Sequence, residues 1–215
     1  MKPITIEQAR SWYRDADPVH DFDHVLRVYR VAQHLAQAEG ADLEIVRAAA
    51  LLHDSRGSAP GMEGSARAEH HITSAQFAGE VLVEKGWSEA RINAVKHCIL
   101  AHRFRGQGIA PETLEAKVLF DADKLDVLGA IGAARTIAYA ALDNQPAYAE
   151  PSEQFLTSGE KQPGEPHSSY HEFLFKLRNV KDRMFTQSGK SIANARHAYL
   201  EKFYEQLQAE VRGER

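Results

Sequence analysis

The sequence holds a single cysteine, Cys98, which excludes an internal disulfide and any Cys-rich zinc site. No apolar run approaches the roughly 18 residues of a membrane-spanning helix. The first residues, Met1-Lys2-Pro3-Ile4-Thr5, lack the apolar core of a secretion signal, so a cytoplasmic protein with no membrane partner is expected. An excess of positive charge is also missing. The 26 Lys and Arg stand against 30 Asp and Glu, a formal net charge of −4, and no basic field favours a nucleic-acid partner. There is no strand-like alternation, no internal repeat and no low-complexity tract. What is present is the composition of a globular protein, 215 residues long and able to bury a sizeable core, with 11 histidines as its conspicuous surplus.

Helical periodicity runs from end to end, and the expected fold class is all-α. The pattern predicts helices over about 6–14, 22–39, 42–54, 66–85, 88–103, 112–141, 168–182 and 189–211. Gly40 and Gly86 stand where helices stop, and Asp42 and Ser88 where the next ones are capped. Two connections are long and polar, Ser55 to Gly64 and Asn144 to Pro166, a type often found as lids or disordered segments. The last helices carry Phe173, Leu177, Val180, Ile192, Leu200, Phe203 and Leu207, an apolar set expected to pack back on the helical body. The expected organisation is a helical core over 1–143 and a polar loop with C-terminal helices over 144–215, together one domain.

Several histidines and aspartates fall on the faces where a core belongs. His24 opens the stripe His24, Val28, Val31, Leu35 and points inward, whereas His34 lies beside Arg27 and Arg30 on the solvated flank. His53 and Asp54 end the apolar run Ala48-Ala49-Ala50-Leu51-Leu52 and can reach one metal ion from a single backbone anchor. A second His-Asp pair, His20 and Asp21, reads as a cap region, with Asp21 or Asp23 as N-cap. With Ile92, Val95 and Ile99 taken as an inward stripe, His102 lies within about 60° of its centre and His97 on the exposed side. Around Asp123 are Ala116, Leu119, Phe120 and Val127, while Asp121 points about 160° away and Asp126 about 60°. For the helix over 66–85, periodicity leans to His71 over His70 as the inward residue. A lone inward histidine is ordinarily a hydrogen-bonded core residue. Four helices offering His24, His53 with Asp54, His102 and Asp123 inward are another matter, because each buried polar group costs desolvation that one cation would offset for all.

The chain resembles the HD-domain superfamily of metal-dependent phosphohydrolases. The matching residues are His24-Val25-Leu26-Arg27-Val28, Leu51-Leu52-His53-Asp54 and Ala122-Asp123-Lys124-Leu125-Asp126, in the order of the H, HD, D signature. The resemblance implies an HD-type helical bundle with a C-terminal helical extension, and metal ligands His24, His53, Asp54 and Asp123. A wider variant of the signature adds two histidines. Its rule of a histidine four residues before a small residue selects His70 in His70-His71-Ile72-Thr73-Ser74, and His102 matches the other; both would serve a second metal or a phosphate. Similarity continues through Gly129-Ala130-Ile131-Gly132-Ala133-Ala134-Arg135 and through His171, Lys176-Leu177, Met184, Thr186 and Arg196, as in a small bacterial subgroup that includes nucleotide pyrophosphohydrolases. After His53-Asp54 comes Ser55-Arg56-Gly57, without the acidic pair of the stringent-response hydrolase branch, which argues against that substrate.

The expected chemistry is hydrolysis of a phosphoanhydride or phosphoester, on a small phosphorylated substrate of the nucleotide type, by water activated by a divalent ion of the Mn, Mg, Fe, Co or Ni class. One ion is favoured over two. Asp54 would be both ligand and orienter of the water, and Arg27, Arg103 and Lys124 would bind phosphate oxygens. His171, Lys176 and Arg196 are candidates for closing over a nucleotide, against ordinary helix-surface roles. The alternatives are an HD-type di-iron oxygenase acting on a small organic substrate and a non-catalytic nucleotide or metal sensor.

Overall fold

The computed structural model describes residues 1–13, 22–56, 65–103 and 108–214, the side chains of 65–68 excepted. The expected cap residues His20 and Asp21, and most of the 55–64 loop, lie outside the described residues. Ten α-helices occur among those described: α1 (Ile6–Arg10), α2 (Phe22–Glu39), α3 (Leu43–Leu52), α4 (Ser65–Glu84), α5 (Glu89–Ala101), α6 (Leu114–Leu125), α7 (Gly129–Leu142), α8 (Glu153–Ser158), α9 (Ser169–Phe175) and α10 (Gln187–Val211). No strand is present among the described residues, and no single helix is long and apolar enough to cross a membrane. Contacts divide the chain into two compact units, one of Met1–Asp123 with Phe185–Gly189, the other of Lys124–Met184 with Lys190–Arg215. The boundary expected at 143 falls inside the second unit.

In the first unit α3 is the central element, packed against α1, α2, α4 and α5. Its sequence explains this position. Val46 and the run Ala48 to Leu52 are all buried, and a helix apolar on every side is stable only when surrounded. Asp42 starts it, its carboxylate accepting from the N–H groups of Glu44 and Ile45 while Arg91 holds the same side chain by two hydrogen bonds. The last turn of α3 is tied down by the Tyr13 hydroxyl, which donates to the Leu51 carbonyl at 3.0 Å. His53 and Asp54 therefore emerge from the best-buried helix of the unit. Gly40 and Gly86 close α2 and α4 with φ of 77° and 71°, where a side chain would be strained.

The helix expected over 112–141 is two helices. Gly129 takes φ 71°, and a Cβ on Gly132 would lie 2.3 Å from the Val127 carbonyl oxygen, so this backbone turns tightly at two glycines that an apolar pattern reads straight through. A second correction concerns Asp121. Expected on the outer side, it is fully buried, and its carboxylate accepts from Phe185 N, Thr186 N and the Thr186 hydroxyl at 2.9, 2.8 and 2.6 Å. Thr186 in turn caps α10 by accepting from Gly189 N. The segment 185–189 thus belongs to the first unit because Asp121 binds it.

The second unit also departs from expectation. The helix predicted over 168–182 is α9 followed by two 3-10 turns, Leu177–Asn179 and Lys181–Arg183, and the polar stretch 144–166 contains α8. That stretch is organised by Glu165, which accepts from Ser152 N, the Ser152 hydroxyl, Gln162 N and His171 Nε2 at 2.7–3.0 Å. The Ser152 N–H, then against some burial the Gln162 N–H, the Ser152 hydroxyl and His171, lower the Glu165 pKa from 4.5 to about 2. The bonded form is the anion. Its contribution is complete above pH 4.5 and is lost as pH falls towards about 2. Nuclear magnetic resonance across that window should show the Ser152 and Gln162 amides losing protection, and Glu165→Gln should remove the pH dependence; an unchanged profile in the variant would reject this assignment.

Candidate metal centre

Asp54 is the meeting point of four imidazoles. Its Oδ2 lies 3.4 Å from His53 Nε2 and 3.8 Å from His24 Nε2, and its Oδ1 lies 3.0 Å from His70 Nε2 and 3.4 Å from His102 Nε2. His24 Nε2 is also 3.5 Å from Asp123 Oδ1. Donor atoms of His24, His53 and Asp123 fall within 4.8 Å of one another, and so do those of Asp54, His70 and His102. All six residues belong to the first unit, carried by α2, the end of α3, α4, the end of α5 and α6.

Local folding explains two of these positions in the same way. His53 is the C-cap of α3 and His102 that of α5. Each ring turns back so that Nδ1 bonds a carbonyl of the last helical turn, Ala50 for His53 at 2.8 Å and Ile99 for His102. This satisfies a carbonyl that the helix leaves unpaired and aims Nε2 at Asp54. The two rings meet edge to face, with centroids 5.3 Å apart. The ends of α3 and α5 also bring the negative poles of their helix dipoles to one place, which favours a cation there.

The residues present fit a divalent metal ion. His53 is wholly buried, and its Nε2 has no hydrogen-bond partner among the described residues, a costly state that a cation relieves. Burial lowers the His53 pKa and favours the neutral ring a metal requires. Burial alone would raise the pKa of Asp54, but the imidazoles around it, His53 first and then His102 and His70, outweigh it and hold its carboxyl well below the usual range. The donor set of imidazole and carboxylate suits a first-row divalent ion. The side chains of Asp54 and Asp123 keep 21% and 16% exposure, so the carboxylate side of the cluster is open to a ligand from solvent.

The other candidates are placed as follows. His24 is buried, His34 exposed, and His97, expected to be exposed, is half-buried and accepts from Glu112 N at 3.2 Å. Of the adjacent histidines it is His70, not His71, whose ring meets Asp54, against the lean of periodicity. Arg27 and Lys124 are half-buried, Arg27 one turn beyond His24 on α2. Arg103 donates to His70 Nδ1 at 3.0 Å. His171 is fully buried and bonded to Glu165, Lys176 pairs with Glu172, and Arg196 donates to the Leu125 carbonyl at 2.6 Å, so each has a structural bond within the second unit. Asp126 is buried and paired with Arg135. Ser74, which sequence reasoning passed over except as a small residue, is buried and accepts from Arg56 N at 3.1 Å. It joins α4, one turn after His70, to the chain just past Asp54; its spacing of four from His70 was the visible signal.

The HD domain family matches residues 21–128. The YpgQ protein of Bacillus subtilis is 31% identical over 214 residues, covering 96% of this chain and 94% of that protein. A crystal structure of Bacillus subtilis YpgQ in complex with ADP superposes with a TM-score of 0.72 at 27% identity, over 98% of this chain and 100% of the other. An HD-superfamily hydrolase from Bacillus thuringiensis gives a TM-score of 0.68 at 29% identity, over 96% of each chain.

Proposed function

Since the chain belongs to the HD-domain family and has the fold of HD-superfamily hydrolases, we propose that it is a metal-dependent phosphohydrolase acting on a phosphoanhydride or phosphoester of a nucleotide. The observation that carries this reading is the carboxylate of Asp54 set among the Nε2 atoms of four histidines, with Asp123 against His24. His24, His53, Asp54 and Asp123 would hold the ion, of the Mn, Mg, Fe, Co or Ni class. When bound, such an ion lowers the pKa of water and offsets charge developing on phosphoryl oxygens.

The chain supplies the remainder. Asp54, its orientation fixed from both oxygens, accepts a hydrogen bond from the attacking water and aligns it. Arg27, Arg103 and Lys124, each adjacent to or one turn from a proposed ligand in sequence, supply charge-assisted donors to phosphate oxygens. His102 and His70 face Asp54 Oδ1 and are the candidates for a second ion or a phosphate.

The nucleotide assignment is supported by the relative crystallised with ADP, while Ser55-Arg56-Gly57 after His53-Asp54 argues against the substrate of the stringent-response branch. Arg56 is not a spare phosphate ligand, because its guanidinium stacks on the Phe77 ring at 3.5 Å. Manganese-loaded protein given a panel of nucleoside triphosphates should release pyrophosphate and the monophosphate. Orthophosphate as the sole inorganic product would reject cleavage at the α-phosphate and leave a phosphohydrolase of another kind. The six donors, in two groups of three, His24, His53 and Asp123, and Asp54, His70 and His102, favour a second reading, a di-iron oxygenase. Two irons per chain with oxygen-dependent turnover of a small organic substrate would establish it in place of the first.

A further inference from the structure

His70 is held the opposite way from the two histidines beside it. The Nδ1 atoms of His53 and His102 face main-chain carbonyls. A carbonyl only accepts, so in these rings Nδ1 carries the proton and Nε2 keeps its lone pair for a cation. His70 Nδ1 faces the Arg103 guanidinium at 3.0 Å instead. A guanidinium only donates and keeps its charge in a protein, so His70 Nδ1 is the acceptor. A ring with a bare Nδ1 carries its proton on Nε2. That atom lies 3.0 Å from Asp54 Oδ1, the distance of an N–H donating to a carboxylate.

The consequence falls on the ion count. Of the second donor group, Asp54, His70 and His102, one member then presents an N–H where a ligand needs a lone pair. Two protein ligands are left, below the three or four of ordinary protein metal sites. We propose that Arg103 locks His70 in the Nε2-protonated tautomer, which makes His70 a positioning residue for Asp54 rather than a metal ligand and limits the site to one ion. Facing Oδ1 at 3.0 Å, His70 leaves Oδ2, the oxygen that faces His24 and His53, as the ligand atom. Arg103 acts through His70, donating to its Nδ1. The inference rests on the metal-binding part of the proposed function and decides between its one-ion and two-ion forms.

The test combines two readouts on the full chain. Equilibrium dialysis against manganese, with the metal counted by atomic emission, should give one ion per chain in the wild type and in His70→Gln, whose amide N–H replaces the ring donor. In zinc-loaded protein, the ¹⁵N spectrum of the His70 ring should show an unprotonated Nδ1 and a proton on Nε2, and Arg103→Leu should release that preference into a mixture of tautomers. Two manganese ions in the wild type falling to one in His70→Gln, or a His70 ring protonated on Nδ1, would overturn the proposal. A ring spectrum unaffected by Arg103→Leu would overturn the role given to Arg103. A complete failure to take up manganese would overturn the metal reading itself, while the nitrogen spectrum of the same protein would still decide the His70 tautomer.

Discussion

Asp54→Ala should leave a folded protein without manganese-dependent hydrolysis, its turnover reduced by about 10³-fold or more. The side chain faces both donor sets, Oδ2 towards His24 and His53 and Oδ1 towards His70 and His102. Asp123 lies against His24, at 3.5 Å from its Nε2. Lewis-acid stabilisation by a bound ion is worth several kcal/mol, and at about 1.4 kcal/mol for each factor of ten this gives the stated loss. Circular dichroism would show the retained helix content, and nucleotide turnover with a saturating manganese series would measure the loss. Undiminished turnover in a folded Asp54→Ala protein would remove Asp54 from the chemistry.

The helical nature of the chain and the inward faces of several helices are legible in the sequence for a plain reason. A buried stripe at helical spacing makes a polar intruder visible, and His24, His53 and His102 are 4%, 0% and 2% exposed. The choice between His70 and His71 is not legible in that way. Both rings are half-buried, and what separates them is the Asp54 carboxylate arriving from another helix. The resemblance separated them through Ser74, whose small, buried side chain ties α4 to the turn after Asp54. Helical spacing also failed at Asp121, because it assigns a residue to the face set by its own helix and cannot see a second segment covering the outer face. The break at Gly129 and Gly132 was missed because the alanines and isoleucine around them continue the helical pattern, and only the turn geometry needs glycine.

Asp121→Ala should cost about 3–5 kcal/mol of stability, the second large effect. Its carboxylate is fully buried and serves three donors, Phe185 N, Thr186 N and the Thr186 hydroxyl. Leaving buried donors without an acceptor costs roughly 1–3 kcal/mol each, with rehydration of the 185–186 segment reducing the sum. For a chain of this length the melting temperature would fall by roughly 6–20 °C. Gly189→Ala should strike the same contact, since a Cβ there would lie 2.3 Å from Asp121 Oδ2 and 2.7 Å from the Thr186 hydroxyl. The double variant should therefore lose less than the sum of the two single losses. A change in Asp121→Ala below about 1 kcal/mol, the scale of an ordinary surface substitution, would show that the segment 185–189 is held by other means.

The central claim is that His24, His53, Asp54 and Asp123 hold a divalent metal ion. Anomalous X-ray scattering from crystals of the manganese-loaded protein tests it most directly. The account predicts one anomalous peak within bonding distance of His24, His53, Asp54 and Asp123, with His70 hydrogen-bonded to Asp54. A peak bound elsewhere on the chain, or none at these four residues at saturating manganese, would contradict it.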